Sequence, residues 1–474
     1  VKAATGNEKK KSFSEQSKTQ QRQTKTQSNS ESKQKPNKHM KNTKSILMAA
    51  AAALTIASAS AQEVVYITGA TAFRSAANNT LYSLYSNNLL ASSGSSASDS
   101  SAIALYFKDC VLTNGATVDL AVTWTGSEGG MQTVASGTNN KRVPFYDLAK
   151  LATNGVTNRT TGLATPDTAL MTAGPLTSLH KGIIGCSDSF QKSSRFQGGK
   201  KASDGATYST IVEEKVGVVP YSPIASRGWT NTFPDRNITL NNFWNIFTAS
   251  TGMTGEKISG NTNHATVKIF GTGRNVDSGT RVIMLACNKA GIADQVVQWR
   301  VTGSGGAATA MVKHPATTIN GIATALGEGG ETSGGTVASY MTNGINAATT
   351  VTGASKGSQT NYLVGYVSVA DMTSARVAAG LVPLKFNGVE GRCYNNTSFT
   401  TLDQGYTNII TGAYPWWGYE FVTYDNALAS VNAKAFANNF VSLIKSFDST
   451  NSIIAPNIKL TDMKVSRSAD GGNQ

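Results

Sequence analysis

Short apolar runs ending in turns of small or hydroxyl-bearing residues recur along this chain, and helical stretches follow several of them. Glu63 to Thr68 reads as a strand, then Gly69-Ala70-Thr71-Ala72 turns into a helical stretch predicted over Phe73 to Leu90. Val118 to Trp124 is a second strand, followed by Thr125-Gly126-Ser127-Glu128-Gly129-Gly130. Lys181 to Gly185 is a third, followed by Cys186-Ser187-Asp188-Ser189, and Val216 to Pro220 a fourth. Asn241 to Phe247 reads as a short helix, Asn361 to Val369 as a late strand, and Phe436 to Phe447 as an amphipathic helix with Phe436, Phe440, Leu443 and Phe447 on one face. This alternation predicts an α/β fold with mostly parallel sheets. In such sheets ligands bind outside the carboxyl ends of the strands, which is where the polar turns fall.

The most specific of these turns is Gly273-Arg274-Asn275-Val276-Asp277-Ser278-Gly279-Thr280, between the apolar runs Val267–Phe270 and Val282–Cys287. Arg supplies a forked, permanently charged donor. Ser and Thr add hydroxyls, Gly admits close backbone approach, and a helix start adds free N–H groups. The combination suits a tetrahedral oxyanion.

Charge is concentrated at one end. Residues 1–39 hold ten Lys/Arg against three Glu, and Lys41 and Lys44 follow, so most of the formal net charge of +14 precedes residue 62. The remainder lacks basic runs with interleaved aromatics, and nucleic-acid binding is not expected. Met40 to Lys44 is a short basic start, Ser45 to Ser58 is apolar and small, and Ala59-Ser60-Ala61 is an A-x-A site, so 40–61 reads as a secretory signal peptide. Residues 1–39 are polar and without periodicity, and read as a disordered or mis-assigned extension ahead of Met40. Cys110, Cys186, Cys287 and Cys393 fit no zinc motif, and pairing or burial as thiols are both open. His39, His180, His264 and His314 stand apart, so neither catalysis nor metal binding is indicated and no cofactor is expected. The glycine-rich stretches 303–306 and 327–335 lack the Gly-Lys-Ser/Thr ending of a phosphate loop and read as turns. Trp416 and Trp417 read as core rather than a sugar platform.

Taken in order, these pieces resemble the phosphate-binding proteins of ABC transporters, within the type II periplasmic binding proteins. Thr68 to Phe73 is similar to the family's first anion loop, Thr125 to Gly130 to its second, Gly185-Cys186-Ser187-Asp188 to its third, and Arg274-x-x-x-Ser278-Gly279-Thr280 to its fourth. Ile409 to Phe421, with Tyr414-Pro415, is similar to a late strand region. The resemblance implies two α/β lobes, 62–216 with 365–474 and 217–364, the chain crossing near Val216–Pro220 and Tyr362–Val367. It implies an interlobe site in which Thr71, Ala72 and Ser127 donate and Asp188 accepts from a protonated phosphate oxygen. Arg274 would form the salt bridge, and Ser278, Gly279 and Thr280 would complete the cage. A carboxylate at that point disfavours sulfate, which has no proton to give. The implied protein is a monomeric, periplasmic, non-enzymatic phosphate carrier delivering to an inner-membrane permease. Residues 131–180 read as an insertion, and Arg74 and Arg281 add charge beside the expected site. A surface or extracellular protein reusing the fold is the second reading. A hydrolase is a third, disfavoured by the lack of a nucleophile with a neighbouring base.

Overall fold

The computed structural model describes residues 62–94, 101–164, 173–302, 310–342, 350–351, 361–391, 405–446 and 458–472. The extension and signal peptide of 1–61, the glycines at 303–306, Cys393 and Phe447 lie outside the described residues.

An eleven-stranded mixed sheet organises the chain. Its strands are β1 (Val64–Gly69), β2 (Leu89–Ser92), β3 (Ala104–Val111), β4 (Thr117–Thr123), β5 (Ile184–Ser187), β6 (Ile211–Ala225), β7 (Met253–Thr254), β8 (Lys268–Gly271), β9 (Asn361–Ser368), β10 (Val382–Pro383) and β11 (Trp417–Asp425). The order is β7-β8-β9-β6-β11-β5-β1-β4-β3-β2, with β10 also against β6. The α/β class holds, but the sheet is mixed rather than mostly parallel. Only β1–β4, β1–β5 and β8–β9 pair in parallel. The other pairs are antiparallel. The sequence pattern weights βα units, and it does not see that β6 and β11 run back through the middle of the sheet.

The principal helices are α1 (Arg74–Tyr85), α2 (Ser127–Val134), α3 (Leu240–Thr248), α4 (Gly279–Cys287), α5 (Gly334–Thr342) and α6 (Val431–Ser446). Helix α1 stops at Tyr85, earlier than expected. Ser86-Asn87-Asn88 forms a short 3-10 turn, and Asn88 Nδ2 donates to the carbonyls of Lys108 and Asp109 (both 2.9 Å). Leu89 and Leu90 thereby enter β2, which pairs with β3, a strand the sequence reading did not identify.

Two cores result. Val65 and Ile67 of β1, Leu120 of β4, Leu81 of α1, and Phe436 and Phe440 of α6 share one. The larger holds Phe243 and Phe247 of α3, Ile283 of α4, Met341 of α5, Tyr366 of β9 and Trp416. Residues 143–146 and 177–180 form a two-stranded ladder, and Tyr66 of β1 stacks on His180 (4.3 Å) and packs against Phe145 (4.9 Å). Much of the stretch read as an insertion thus covers the second face of β1. Cys110, Cys186 and Cys287 are buried free thiols. Among the described residues no helix is long and apolar enough to cross a membrane.

Trp416 is fully buried between Phe243 (4.9 Å) and Phe386 (5.0 Å). Trp416→Ala is expected to lower the unfolding free energy by about 3–5 kcal/mol, measured by denaturant titration. A change below about 1 kcal/mol would contradict the packing role.

Candidate functional site

Parallel pairing puts the carboxyl ends of β4, β1 and β5 side by side. The Ala70 amide donates to the Cys186 carbonyl (2.7 Å) and the Gly126 amide to the Gly69 carbonyl (2.8 Å). These bonds lock together the three loops that carry Thr71, Ser127 and Asp188. The fourth loop leaves β8. Its Arg274 amide donates to the Tyr366 hydroxyl of β9 (3.1 Å), and its last residues open α4.

The loops meet at Asp188, which is buried. Ser127, the first residue of α2, donates its hydroxyl to Asp188 Oδ1. Tyr221 of β6 donates to Oδ2 (2.7 Å), and Thr280 of α4 lies 3.5 Å from the same oxygen. Gly279 lies so close that a Cβ there would overlap the carboxylate, so only glycine fits without rearrangement. Ser278 is buried at the N-cap of α4 and its side chain makes no capping bond. The starts of α2 and α4 therefore both abut one acid, as expected where helix N-termini favour negative charge.

A second carboxylate bridges the same loops. Gly129 of α2 donates its amide to Asp277 Oδ1, Asn320 Nδ2 donates to that oxygen (2.7 Å), and the Glu128 amide donates to the Asp277 carbonyl (3.1 Å). Asp277 lies inside the Arg274–Thr280 motif but was not singled out from sequence. Tyr221 was also missed, although it directly follows the run Val216–Pro220.

Arg274 faces elsewhere. It is 3% exposed, donates from Nε to the Glu331 carbonyl (3.2 Å), and from Nη2 to Thr71 Oγ1 (3.0 Å) and the Thr332 carbonyl (2.9 Å). Thr71, Ala72 and Arg274 line a cavity of about 430 Å³ with Arg74, Arg376 and the start of α5. The expected cage residues thus fall into two groups, Ser127, Asp188, Gly279 and Thr280 around the acid, and Thr71, Ala72 and Arg274 on the cavity. Arg281 does not extend the site. It is buried, donates from Nη1 to the Glu328 carbonyl (2.7 Å), and lies 3.7 Å from the Glu328 carboxylate.

No family model matches the sequence, and no curated protein matches it. Solved structures do. A putative phosphate ABC transporter substrate-binding protein with bound phosphate from Clostridium perfringens is similar at 14% identity, covering 84% of this chain and 100% of that one, with a TM-score of 0.41. An ABC-type phosphate transport receptor from Vibrio cholerae is similar at 12% identity over 81% and 94% of the two chains, TM-score 0.35. A possible phosphate binding protein from Planctomyces limnophilus is similar at 11% identity over 84% and 93%, TM-score 0.37. At such distances the chemistry of the site is judged from its own residues.

Burial pushes the Glu128 carboxyl up to about 7, and raises Asp277 well above the usual carboxylate range, with the neighbouring Glu128 charge adding to it. Folding then retains protons that the unfolded chain has already released. The stability from this source is complete below the ordinary Glu value of 4.5 and is lost as the pH rises through about 7. Glu128→Gln is expected to flatten that decline, read as the unfolding free energy by urea titration between about pH 4.5 and 7.5. An unchanged slope would show that Glu128 ionises normally.

Proposed function

We propose that this chain is an exported solute-binding protein that captures phosphate, or a closely related oxyanion, for delivery to a membrane permease. The observation that carries the reading is the convergence of Ser127, Gly279 and Thr280, at the starts of two helices, on the buried acceptor Asp188. Helix starts and hydroxyls supply donors for oxyanion oxygens, while Asp188 supplies the acceptor that a protonated phosphate needs and sulfate cannot use. Thr71, Ala72, Arg274 and Ser278 complete the proposed ligand set.

Because the loops touch, an anion enters this cluster only once they part. We therefore assign the chain two lobes, 62–216 with 365–474 and 217–364, moving about β6, β9 and β11. A register shift between Glu420 and Phe421, opposite Gly217 and Lys215, supports a bend near Val216. Export rests on the signal-peptide pattern of residues 40–61.

One observation favours the second reading, a surface protein that keeps the fold without the ligand. Asp188 already accepts hydrogen bonds from Ser127 and Tyr221 within the chain. Titration calorimetry on ligand-stripped protein separates the two readings. Saturable heat with phosphate and none with sulfate is expected, and no heat with either rejects phosphate capture. Arg274→Ala should weaken phosphate binding roughly 100-fold, about 3 kcal/mol, as when one partner of a buried charge pair is removed. Asp188→Asn should narrow the preference for phosphate over sulfate.

A further inference from the structure

The cavity beside Thr71 is more cationic than a single oxyanion requires. Arg74 opens α1 directly after the first loop, Arg274 follows β8, and Arg376 lies in the short helix Ser374–Ala378. All three line the cavity, and Asp371 is the one carboxylate among its lining residues. That acid is shared. Arg376 Nη1 donates to the Asp371 carbonyl (2.7 Å) and lies 3.8 Å from its carboxylate. The Arg74 guanidinium makes no hydrogen bond or close ion pair among the described residues, and Asp371 attracts it from a distance. Arg274, although 3% exposed, has no carboxylate within ion-pair distance, and its Nη1 has no partner among the described residues. Asp371 thus faces three guanidinium groups on the cavity wall, which keeps an excess of positive charge. Removing a charge from water without a counter-ion costs several kcal/mol, so a site of this kind is satisfied by an anion from outside.

The geometry adds donors. Helix α5 begins at Gly334 and points its first turn at the cavity wall, where Gly334, Gly335 and Thr336 are lining residues. Ser333 Oγ accepts from the Thr336 amide (3.2 Å), while the Gly334 and Gly335 amides have no acceptor among the described residues. A Cβ at Gly334 would overlap the Asp371 carboxylate, so glycine there lets the acid reach the cavity floor. Burial lowers the Arg74 guanidinium from its usual value; the Asp371 charge opposes this and Arg274 adds to it. Burial also raises Asp371, and Arg274, Arg376 and Arg74 pull it back down.

We propose that this cavity binds a phosphoryl group carried on a small polar body, a phosphate monoester or pyrophosphate, with Arg74, Arg274 and Arg376 holding the phosphoryl oxygens and Asp371 accepting from a hydroxyl or protonated oxygen of the ligand. About 430 Å³ exceeds what one tetrahedral oxyanion occupies and falls within the small-molecule range of roughly 300–1,000 Å³. The lining offers no aromatic ring on which a nucleobase would stack, which favours a compact polar remainder. The proposal shares Thr71 and Arg274 with the phosphate reading and is otherwise independent of it.

The test is titration calorimetry of the whole chain at matched ionic strength with pyrophosphate, glycerol 3-phosphate and inorganic phosphate in separate runs. Saturable heat with pyrophosphate or glycerol 3-phosphate is expected, weakened tenfold or more by Arg74→Ala and by Arg376→Ala. The heat with inorganic phosphate should change no more than about twofold in the same variants. Which organic or inorganic probe binds distinguishes the two sources of the phosphoryl group. Arg376→Gln, close in length but uncharged, replaces the alanine variant if thermal unfolding shows that the latter has lost its fold. No saturable heat with either larger probe overturns the proposal, as does equal weakening of inorganic phosphate by the arginine variants. Heat with pyrophosphate but none with inorganic phosphate leaves this site standing and removes the Asp188-centred one.

Discussion

The carboxylate of Asp188 is the constraint around which the loops are arranged. A buried acid must have its oxygens satisfied, and here the partners come from three separate elements, α2 through Ser127, β6 through Tyr221 and α4 through Thr280. Those bonds fix how closely α2 and α4 approach, and the approach explains why residue 279 has no side chain. Asp277 does the reciprocal task, reaching from the α4 loop to the first turn of α2. The loop after β5 thus presents an acid to the starts of α2 and α4, and the α4 loop presents a second to the start of α2.

Positive charge is distributed on a different logic. Arg281 is turned into the interior, where Glu328 neutralises it, although in sequence it adjoins Thr280. Arg74, equally adjacent to its loop in sequence, remains on the cavity. The difference is helical phase. Arg281 is the third residue of α4 and faces the segment around 328, whereas Arg74 is the first residue of α1 and stays at the loop mouth.

Much of this was legible in the order of residues. Alternation marked β1 and β4, and helical spacing marked α6 through Phe436 and Phe440. The polar turns after strands located Thr71, Ser127, Asp188 and the Arg274–Thr280 loop, because strand-end placement is a local property. The missed features depend on distant partners. Tyr221 sits in the interior of a 15-residue strand and looks like core until β6 and β5 are seen on either side of β11. Arg376 and Asp371 lie about a hundred residues beyond Arg274, and periodicity carries no information about which loops a sheet brings together. The glycines at 334–335 gave only a turn signal, because the reason for them is an acid on another segment.

The register shift at Val216 has a mechanical consequence. An uninterrupted antiparallel ladder resists flexure along its length, whereas an extra residue on one strand makes a compliant notch. Opposite that notch Gly217 faces buried Glu420, whose Oε2 stands 2.8 Å from where a Cβ would project. The local groove is cut to the width of a backbone. In the proposed lobe motion, a small angular change at this notch would become a larger arc at the loop tips. A larger side chain at 217 would press on Glu420 as a wedge and shift the angle between the two ladders, away from every residue of the proposed ligand set.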